Sequence, residues 1–390
     1  TKGMKIALVK ESRPGETRVG LTPDAVKTLV TDGWDVDVQR DAGLHAHYTN
    51  ESYEAVGAHI VDQPVGDVTI RVNAPTLEEV ARLKEGSLQL SFLSPLLSLD
   101  VVRALNERRI TVLTFDLLPR ISRAQYMDAL SSQATVSGYR AALAGATHLD
   151  RFFPLLTTAA GTIRPAKVLV MGVGVAGLQA IATAKRLGAK VRAYDVRSAA
   201  KEEAESAGAT FVQLGVTADG AGGYARELSD DERAELQAAL QNEVAGSDVI
   251  ITTAAVPGRK APILVTTAMV EAMSEGSLII DMAADGGGNV ELTKAGEIIE
   301  HRGVRVVGLS NPPAEMGTHA SFMYANNVLK LLALFGAKGQ LAPDWNDEIV
   351  IGVTVAHEGH VNHAATAEAL GVEHVALTPA PVAPAAKENQ

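Results

Sequence analysis

The sequence predicts an α/β chain: two Rossmann-like domains with parallel sheets, joined by long helices with a cleft between them. Three observations lead there. Short apolar, β-like runs alternate with amphipathic segments through both halves, the pattern of strands joined by crossover helices. A glycine-rich turn stands between two such runs near the middle. The length, 390 residues with 46% hydrophobic and 21% charged content, suits two or three ordinary globular cores.

The first series opens with the strand-like "KIALVK". "TPDAVKTLVTDGW" follows as a helix, with Thr22 as N-cap, Pro23 at the first helical position and Asp24 in the first turn. The alternation continues through "DVDVQR", "ESYEAVGA", "DVTIRV", "LEEVARLKEG", "LQLSFL", "LDVVRALNERR" and "ITVLTF". It is interrupted by "LPRISRAQYMDALSSQ", which crowds Arg120, Arg123, Gln125 and Asp128 ahead of three small polar residues. "DALSSQATVSGYRAALAGATHL" has no proline and reads as one long helix. A second series runs through "AKVLVMG", "KVRAYD", "TFVQL", "DVIITTA", "SLIIDMA" and "VRVVGL". Two prolines in "NPPAEMG" end it. "HASFMYANNVLKLLALFG" then spaces Phe322, Val328, Leu329 and Leu332 as a helix does.

The last helix is expected to return to the first unit. Residues 1–127 plus 319–390 then form one discontinuous domain and residues 128–318 the other, with crossings near Asp128 and Pro313. The cleft between them is the default ligand site. The tail "TPAPVAPAAKENQ" is Pro- and Ala-rich, the composition of a disordered end.

Composition narrows the function. A net charge of −11 leaves no basic face for nucleic acid and no attraction to anionic lipid. The absence of cysteine excludes disulfides, thiolate nucleophiles and cysteine-ligated metals. No apolar run approaches the ~20 residues of a membrane helix, so no direct membrane insertion is expected. "MKIALVK" leads straight into "ESRPGETR" without a secretory leader, and the three residues before Met4 look like an expression remnant.

"VLVMGVGVAGLQAIATAKRLGAKVRAYD" fits a dinucleotide fingerprint in full context. An apolar strand runs into Gly172-x-Gly174-x-x-Gly177, a helix follows, and a second strand ends in Asp195. Gly172 permits the tight turn, Gly174 the approach of a pyrophosphate, and Gly177 the packing of helix on strand. Val175 opens the helix, whose N-terminus favours phosphate. Asp195 would take the adenosine ribose hydroxyls and repel a 2′-phosphate, which favours NAD over NADP. Arg197 could receive that phosphate and pulls the other way. A tight βα turn that binds nothing is the alternative.

Three further stretches have competing readings. "HEGHVNH" spaces His357, His360 and His363 three apart, not the i, i+4 of a helical zinc site. Loop histidines are favoured over metal ligands, and no metal is expected. "DGAGGYARELSDDERAEL" is a flexible connection or a lid over the nucleotide. Asp281 and Asp285 in "IIDMAADGGGN" build a turn or touch a ligand.

"PRISRAQYMDALSSQ", "GVGVAGLQAIATAKRLGA", "YDVR" and "AGGYARE", in that order, resemble the NAD(H)-binding alpha subunit (domain I) of proton-translocating transhydrogenase. The family belongs to the alanine dehydrogenase/transhydrogenase superfamily, and the resemblance runs from Met4 to about Phe335. It implies a Re/Si-specific NAD(P)+ transhydrogenase, active with partner subunits. NAD(H) is bound here and NADP(H) on the partner. It further implies a homodimer, peripheral on the cytoplasmic face of the cell membrane, docked to membrane-spanning and NADP(H)-binding subunits. Arg120 would pair with Asp128 and bond the nicotinamide, Gln125 would reach the partner's nucleotide, and Ser131 would bond the carboxamide. Asp195, Val196 and Arg197 would contact adenosine. Gly223 and Tyr224 would close the lid, Ala255 would line the pocket, and Gln237 is a weaker match. "NPPAEMGTHASFMYANN" departs from the family's polar run at the second crossing.

"KESRPGETRVGLTP" is shared with alanine dehydrogenases, the first alternative. They reduce pyruvate and carry Lys and His where this chain has Asn73 and Ser94; Arg18 and Asp285 do match. An NAD(H)-sensing regulator is the second alternative. It would keep the fingerprint without needing the polar loop at 118–133.

Overall fold

The computed structural model describes residues 2–214, 227–255 and 260–377. The chain folds as two compact units, residues 1–132 with 314–390, and residues 133–313. The chain leaves the first unit inside the helix Ala129–His148 and re-enters it just before the helix Gly317–Leu332.

In the first unit the sheet runs, edge to edge, through His360–Val361, Thr354–His357, Thr111–Thr114, Leu88–Ser91, Val68–Ile70, Lys5–Leu8, Asp35–Gln39 and His59–Val61. Six strands are parallel, from Thr111–Thr114 to His59–Val61. The two C-terminal strands add to the edge antiparallel. The order reverses beside Lys5–Leu8, the first strand. The following helix, Pro23–Thr31, starts as expected: the Thr22 side chain accepts from the Ala25 N–H, and Pro23 and Asp24 occupy the first turn.

The second unit repeats the plan. Its sheet order is Thr210–Phe211, Lys190–Tyr194, Lys167–Met171, Val249–Thr252, Leu278–Asp281, Val304–Gly308 and Ile298–His301, all parallel but the last. The central strands Lys167–Met171, Val249–Thr252 and Leu278–Asp281 are buried on both faces, apart from Lys167. Val168 and Val170 point into a cluster with Ala180, Ile181 and Ala184, while Leu169 and Met171 point into another with Leu236, Leu240 and Val244. Near-continuous apolar runs such as "KVLVM" are what such two-sided burial requires. Again the order reverses beside the first long strand, Lys167–Met171. Ligands of open α/β sheets bind at such reversals, beyond the carboxyl ends of the strands.

Candidate functional site

The glycine turn lies at the reversal of the second sheet. Gly172 has φ +101°. A Cβ there would lie 2.6 Å from Thr253 Oγ1 and 2.9 Å from the Ala254 nitrogen, so the turn needs glycine for conformation and for space. A Cβ on Gly177 would collide with the Gly172 carbonyl oxygen, so the helix Val175–Arg186 packs directly on the turn. Gly174 differs. Its φ is −87°, and a Cβ would meet no described atom within 4 Å. Nothing in the described fold requires glycine there, and among the described residues nothing fills the space in front of it. Among the described residues no side chain caps this helix at Gly174. Its first N–H groups, including that of Val175, are the kind of donors a pyrophosphate takes up.

Asp195 follows the strand Lys190–Tyr194 and closes this turn. Its carboxylate accepts from the Val173 N–H at 2.7 Å and the Arg197 N–H at 2.8 Å. Arg197 folds back on it, with Nε 3.1 Å from Oδ1 and Nη2 3.2 Å from Oδ2, and also donates to the Val173 carbonyl at 2.8 Å. The two side chains are 8% and 19% exposed, so this pair is largely shielded from water. An arginine tied down this way offers less to a 2′-phosphate than its position alone suggests. Val196, between the two, is half-buried, and Ala255 is exposed after the facing strand Val249–Thr252. Gln237 is half-buried on the helix Asp230–Ala245. Gly223 and Tyr224 lie outside the described residues.

The polar stretch at 118–133 belongs to the first unit, except for its last residue. Ala124 and Met127, three apart on the short helical turn Ser122–Met127, are buried in that unit's core and pin it down. Gln125 and Tyr126 are left exposed, Tyr126 at 74%. Asp128 caps the long helix: Oδ1 accepts from the Ser131 N–H at 2.9 Å, and Oδ2 from Ser131 Oγ at 2.7 Å. Arg120 Nη1 lies 4.0 Å from Asp128 Oδ2. Arg120, Asp128 and Ser131 are therefore adjacent, with Gln125 on the preceding exposed turn.

Two anchors of this stretch escaped the sequence reading. Asn327, on the helix Gly317–Leu332, bonds both Tyr126 and Ser132. Asp347 grips Arg123 with both carboxylate oxygens, at 2.6 and 3.1 Å. The guanidinium holds the Asp347 carboxyl below its ordinary range. Both partners are 200 or so residues away in sequence, and no local signal marks them.

The sheet reversal of the first unit is filled instead of open. Glu16 and Arg18 are buried and paired, with Nη2 2.7 Å and Nε 3.0 Å from the carboxylate. Asn73 bridges two acids, its Nδ2 lying 2.8 Å from Glu16 Oε1 and 3.1 Å from Glu11 Oε1. Burial pushes the Glu11 carboxyl up. Burial also acts upward on Glu16, but the Arg18 guanidinium outweighs it and holds that carboxyl down. The backbone N–H of Ser94, at φ +47°, donates to Asp116.

Of the three ambiguous stretches, the glycine-rich one lies outside the described residues from 219 to 226, and the other two make internal bonds. Asp281 is fully buried and accepts from the N–H groups of Ala283, Asn289 and Val290 and from Thr293 Oγ1. Asp285 accepts from Ser310 and Asn311. His357 and His360 face each other across a hairpin. His357 bonds Thr111 Oγ1 and packs against Trp345 with the rings tilted by 41°. His363 bonds Thr366. Among the described residues no group of three or more His, Cys, Asp or Glu is placed to hold a metal ion.

Two doubly wound sheets and a glycine turn at a reversal define a Rossmann-type, nucleotide-binding α/β protein. Comparison with known proteins narrows that class. Residues 7–137 match the alanine dehydrogenase/PNT N-terminal domain and residues 141–364 the alanine dehydrogenase/PNT C-terminal domain. The chain belongs to the alanine dehydrogenase/PNT family. It is 45% identical over 378 residues to the first of the parts into which the NAD(P) transhydrogenase alpha subunit of Rhodospirillum rubrum is divided, covering 93% of this chain and 98% of that one. The Rickettsia prowazekii subunit of the same name is 40% identical over 369 residues, 92% of this chain and 96% of that one. Alanine dehydrogenase of Bacillus subtilis is 29% identical over 394 residues, 95% of this chain and 96% of that one. Among solved structures, a transhydrogenase from Sinorhizobium meliloti superposes with a TM-score of 0.81 at 37% identity, covering 93% of this chain and 99% of that one. An L-alanine dehydrogenase superposes at 0.78 with 25% identity, covering 94% and 99%.

Proposed function

We propose that this chain is the NAD(H)-binding subunit of a proton-translocating, Re/Si-specific transhydrogenase. In this reading it presents NADH for direct hydride transfer to NADP+ on a partner subunit. The observation that supports it is the contrast at Gly174: its neighbours are glycine because the fold needs them, whereas among the described residues nothing meets a Cβ at Gly174, which suits a ligand's approach to the backbone there. The names of the closely similar relatives support the particular reaction.

When bound, the nicotinamide supplies the hydride. The chain's part is binding and orientation, because a direct transfer moves no proton and needs ring atoms held about 3–3.5 Å apart. Gly172, Gly174, Val175 and Gly177 would take the pyrophosphate, and Asp195 with Val196 and Arg197 the adenosine. Arg120, Asp128 and Ser131 would orient the nicotinamide, and the exposed Gln125 would reach the partner's nucleotide. Ala255 and Gln237 are proposed as pocket residues.

A homodimer fits an uncovered feature of the second unit. The hairpin Leu156–Thr158/Gly161–Ile163 stands alone as a two-stranded sheet, and Phe152, Leu155 and Ile163 beside or within it are exposed. Isolated hairpins are marginal in water, so a second copy is proposed to cover it. Among the described residues no helix is long and apolar enough to cross a membrane. Attachment to the cytoplasmic face of the membrane would therefore come through the partner subunits. The alanine dehydrogenase alternative is disfavoured by Asn73, which is spent on Glu11 and Glu16 and cannot donate a proton.

The test is a reconstituted transfer assay. The purified chain is mixed with an isolated NADP(H)-binding domain of a bacterial transhydrogenase, NADPH and a spectrally shifted NAD+ analogue. Parallel wells hold the chain with pyruvate, ammonium and NADH. Transfer that depends on the added domain, with silent pyruvate wells, is the expected result. Pyruvate-dependent NADH loss from the chain alone would replace this reading with the dehydrogenase, and tight NADH binding with no transfer to any partner would favour a sensor.

A further inference from the structure

We propose that Asn327 is a positioning residue for hydride transfer, acting through the segment that carries Arg120, Gln125, Asp128 and Ser131; the inference rests on the transhydrogenase reading. The segment's ends are held by side chains that return from the far end of the sequence. Asn327 is 7% exposed and its amide is used on both sides. Nδ2 donates to the Tyr126 carbonyl at 3.0 Å, and Oδ1 accepts from Ser132 Oγ at 2.7 Å. The amide can face only one way. A carbonyl is purely an acceptor, so the NH2 must face Tyr126, and the hydroxyl then donates to the oxygen. One buried side chain thus fixes the separation of Tyr126 and Ser132, the residues that bracket Asp128 and Ser131.

Asp347 supplies a second hold upstream. Oδ1 accepts from both the Ile349 N–H at 2.8 Å and Arg123 Nη2 at 2.6 Å. It therefore starts the helix Glu348–Gly352 and grips the segment with the same carboxylate. A Cβ on Gly352 would press on the Pro119 ring at 2.6 Å, so the same helix backs the segment's beginning. Gln125 lies between the two holds. Its side chain is exposed, and its backbone is fixed by Arg123, Tyr126 and the buried Ala124 and Met127. An exposed side chain that must reach a second nucleotide needs its backbone fixed, because no packing on its own outer side can orient it.

The experiment uses the full chain and three variants: Asn327→Leu, Asn327→Asp and Arg123→Gln. Asn327→Asp keeps the shape and the acceptor for Ser132 but sets an oxygen against the Tyr126 carbonyl. Arg123→Gln alters a half-exposed side chain and guards against a variant that fails to fold. Three quantities are measured: amide hydrogen exchange across 118–132, the Kd for NADH, and the single-turnover transfer rate with an isolated NADP(H)-binding domain. The Asn327 variants are expected to exchange faster in 118–132 alone. Their NADH Kd should stay within about threefold while transfer slows about 10–100-fold, the cost of a displacement near 1 Å. Arg123→Gln should move the same way by less.

A folded Asn327→Asp with faster local exchange and a wild-type transfer rate would overturn the proposal and leave Asn327 a purely structural group. Unchanged exchange would overturn it at an earlier step. Wild-type chain that transfers no hydride would instead remove the transhydrogenase reading, while the exchange result would still report whether Asn327 holds the segment.

Discussion

The two sheet reversals of this molecule have the same topology and opposite contents. In the second unit the turn at the reversal is built of glycine, and among the described residues no atom lies within 4 Å of where a Cβ on Gly174 would stand, at the first turn of a helix. In the first unit it is plugged by Glu11, Glu16, Arg18 and Asn73, which satisfy one another. Doubly wound topology produces a crevice each time. The residues at the strand ends decide whether that crevice is a site. A filled reversal is held together by buried charge, and an open one by the absence of side chains, so the two should fail differently.

Arg18→Met should have the largest effect. It leaves Glu16 buried and unpaired, which costs about 3–5 kcal/mol; urea unfolding measures it. Restoring most of that stability in the double variant Glu16→Leu/Arg18→Met would show that the pair matters through mutual satisfaction. Unimpaired stability in Arg18→Met would break the comparison.

Next come the glycines. Gly177→Ala drives a methyl into the Gly172 carbonyl and should cost about 2–4 kcal/mol, with NADH binding lost alongside. Gly174→Ala meets nothing in the described fold, so stability should stay within about 0.5 kcal/mol. Its NADH affinity should nevertheless fall about tenfold or more, at about 1.4 kcal/mol per tenfold. Titration of nucleotide fluorescence beside the unfolding curves separates the two. Equal loss of stability in both would show that the space before Gly174 is not a ligand's.

Gln125→Asn should keep NADH affinity within about threefold and slow single-turnover transfer about tenfold or more, as expected for an orienting group. A wild-type rate would remove Gln125 from the site.

The smallest effect concerns pH. Burial holds His357 and His363 below the ordinary histidine range. At these two rings the folded chain therefore binds fewer protons than the unfolded chain at pH values below about 6.5. Stability should be level above that pH and decline on acidification through the depressed folded values. Urea midpoints between pH 7.5 and 5 would show this, and His357→Gln should flatten the decline. Because the raised Glu11 carboxyl acts with the opposite sign, the comparison with His357→Gln decides: an equal pH dependence in that variant would contradict the burial of the His357 ring.

Several elements were legible because their causes are local. Thr22-Pro23-Asp24 starts a helix by capping, fixed φ and charge, all within one turn. The strand Lys167–Met171, the glycine turn and the helix Val175–Arg186 form one contiguous signal, so the turn could be read residue by residue. The antiparallel strands were not legible. Thr354–His357 and His360–Val361 read as a histidine loop, because their pairing with Thr111–Thr114 involves a strand some 240 residues away. The fate of Asp281 was equally hidden. A carboxylate at a strand end can face a ligand or fold back, and only the positions of Asn289, Val290 and Thr293 make it fold back.

By itself the sequence determined the α/β class, the alternation of strands and helices, and the chemistry of the glycine turn. These follow from periodicity and backbone freedom, which act over a few residues. Tertiary structure alone decided that one reversal is plugged by Glu16, Arg18 and Asn73 while among the described residues nothing meets a Cβ at Gly174 in the other, that Arg197 is tied to Asp195, and that Asn327 and Asp347 hold the segment around Gln125. Those outcomes depend on hydrogen-bond partners distant in sequence or on side chains that could have turned either way. A chain specifies such pairings only through the packing that brings them within reach.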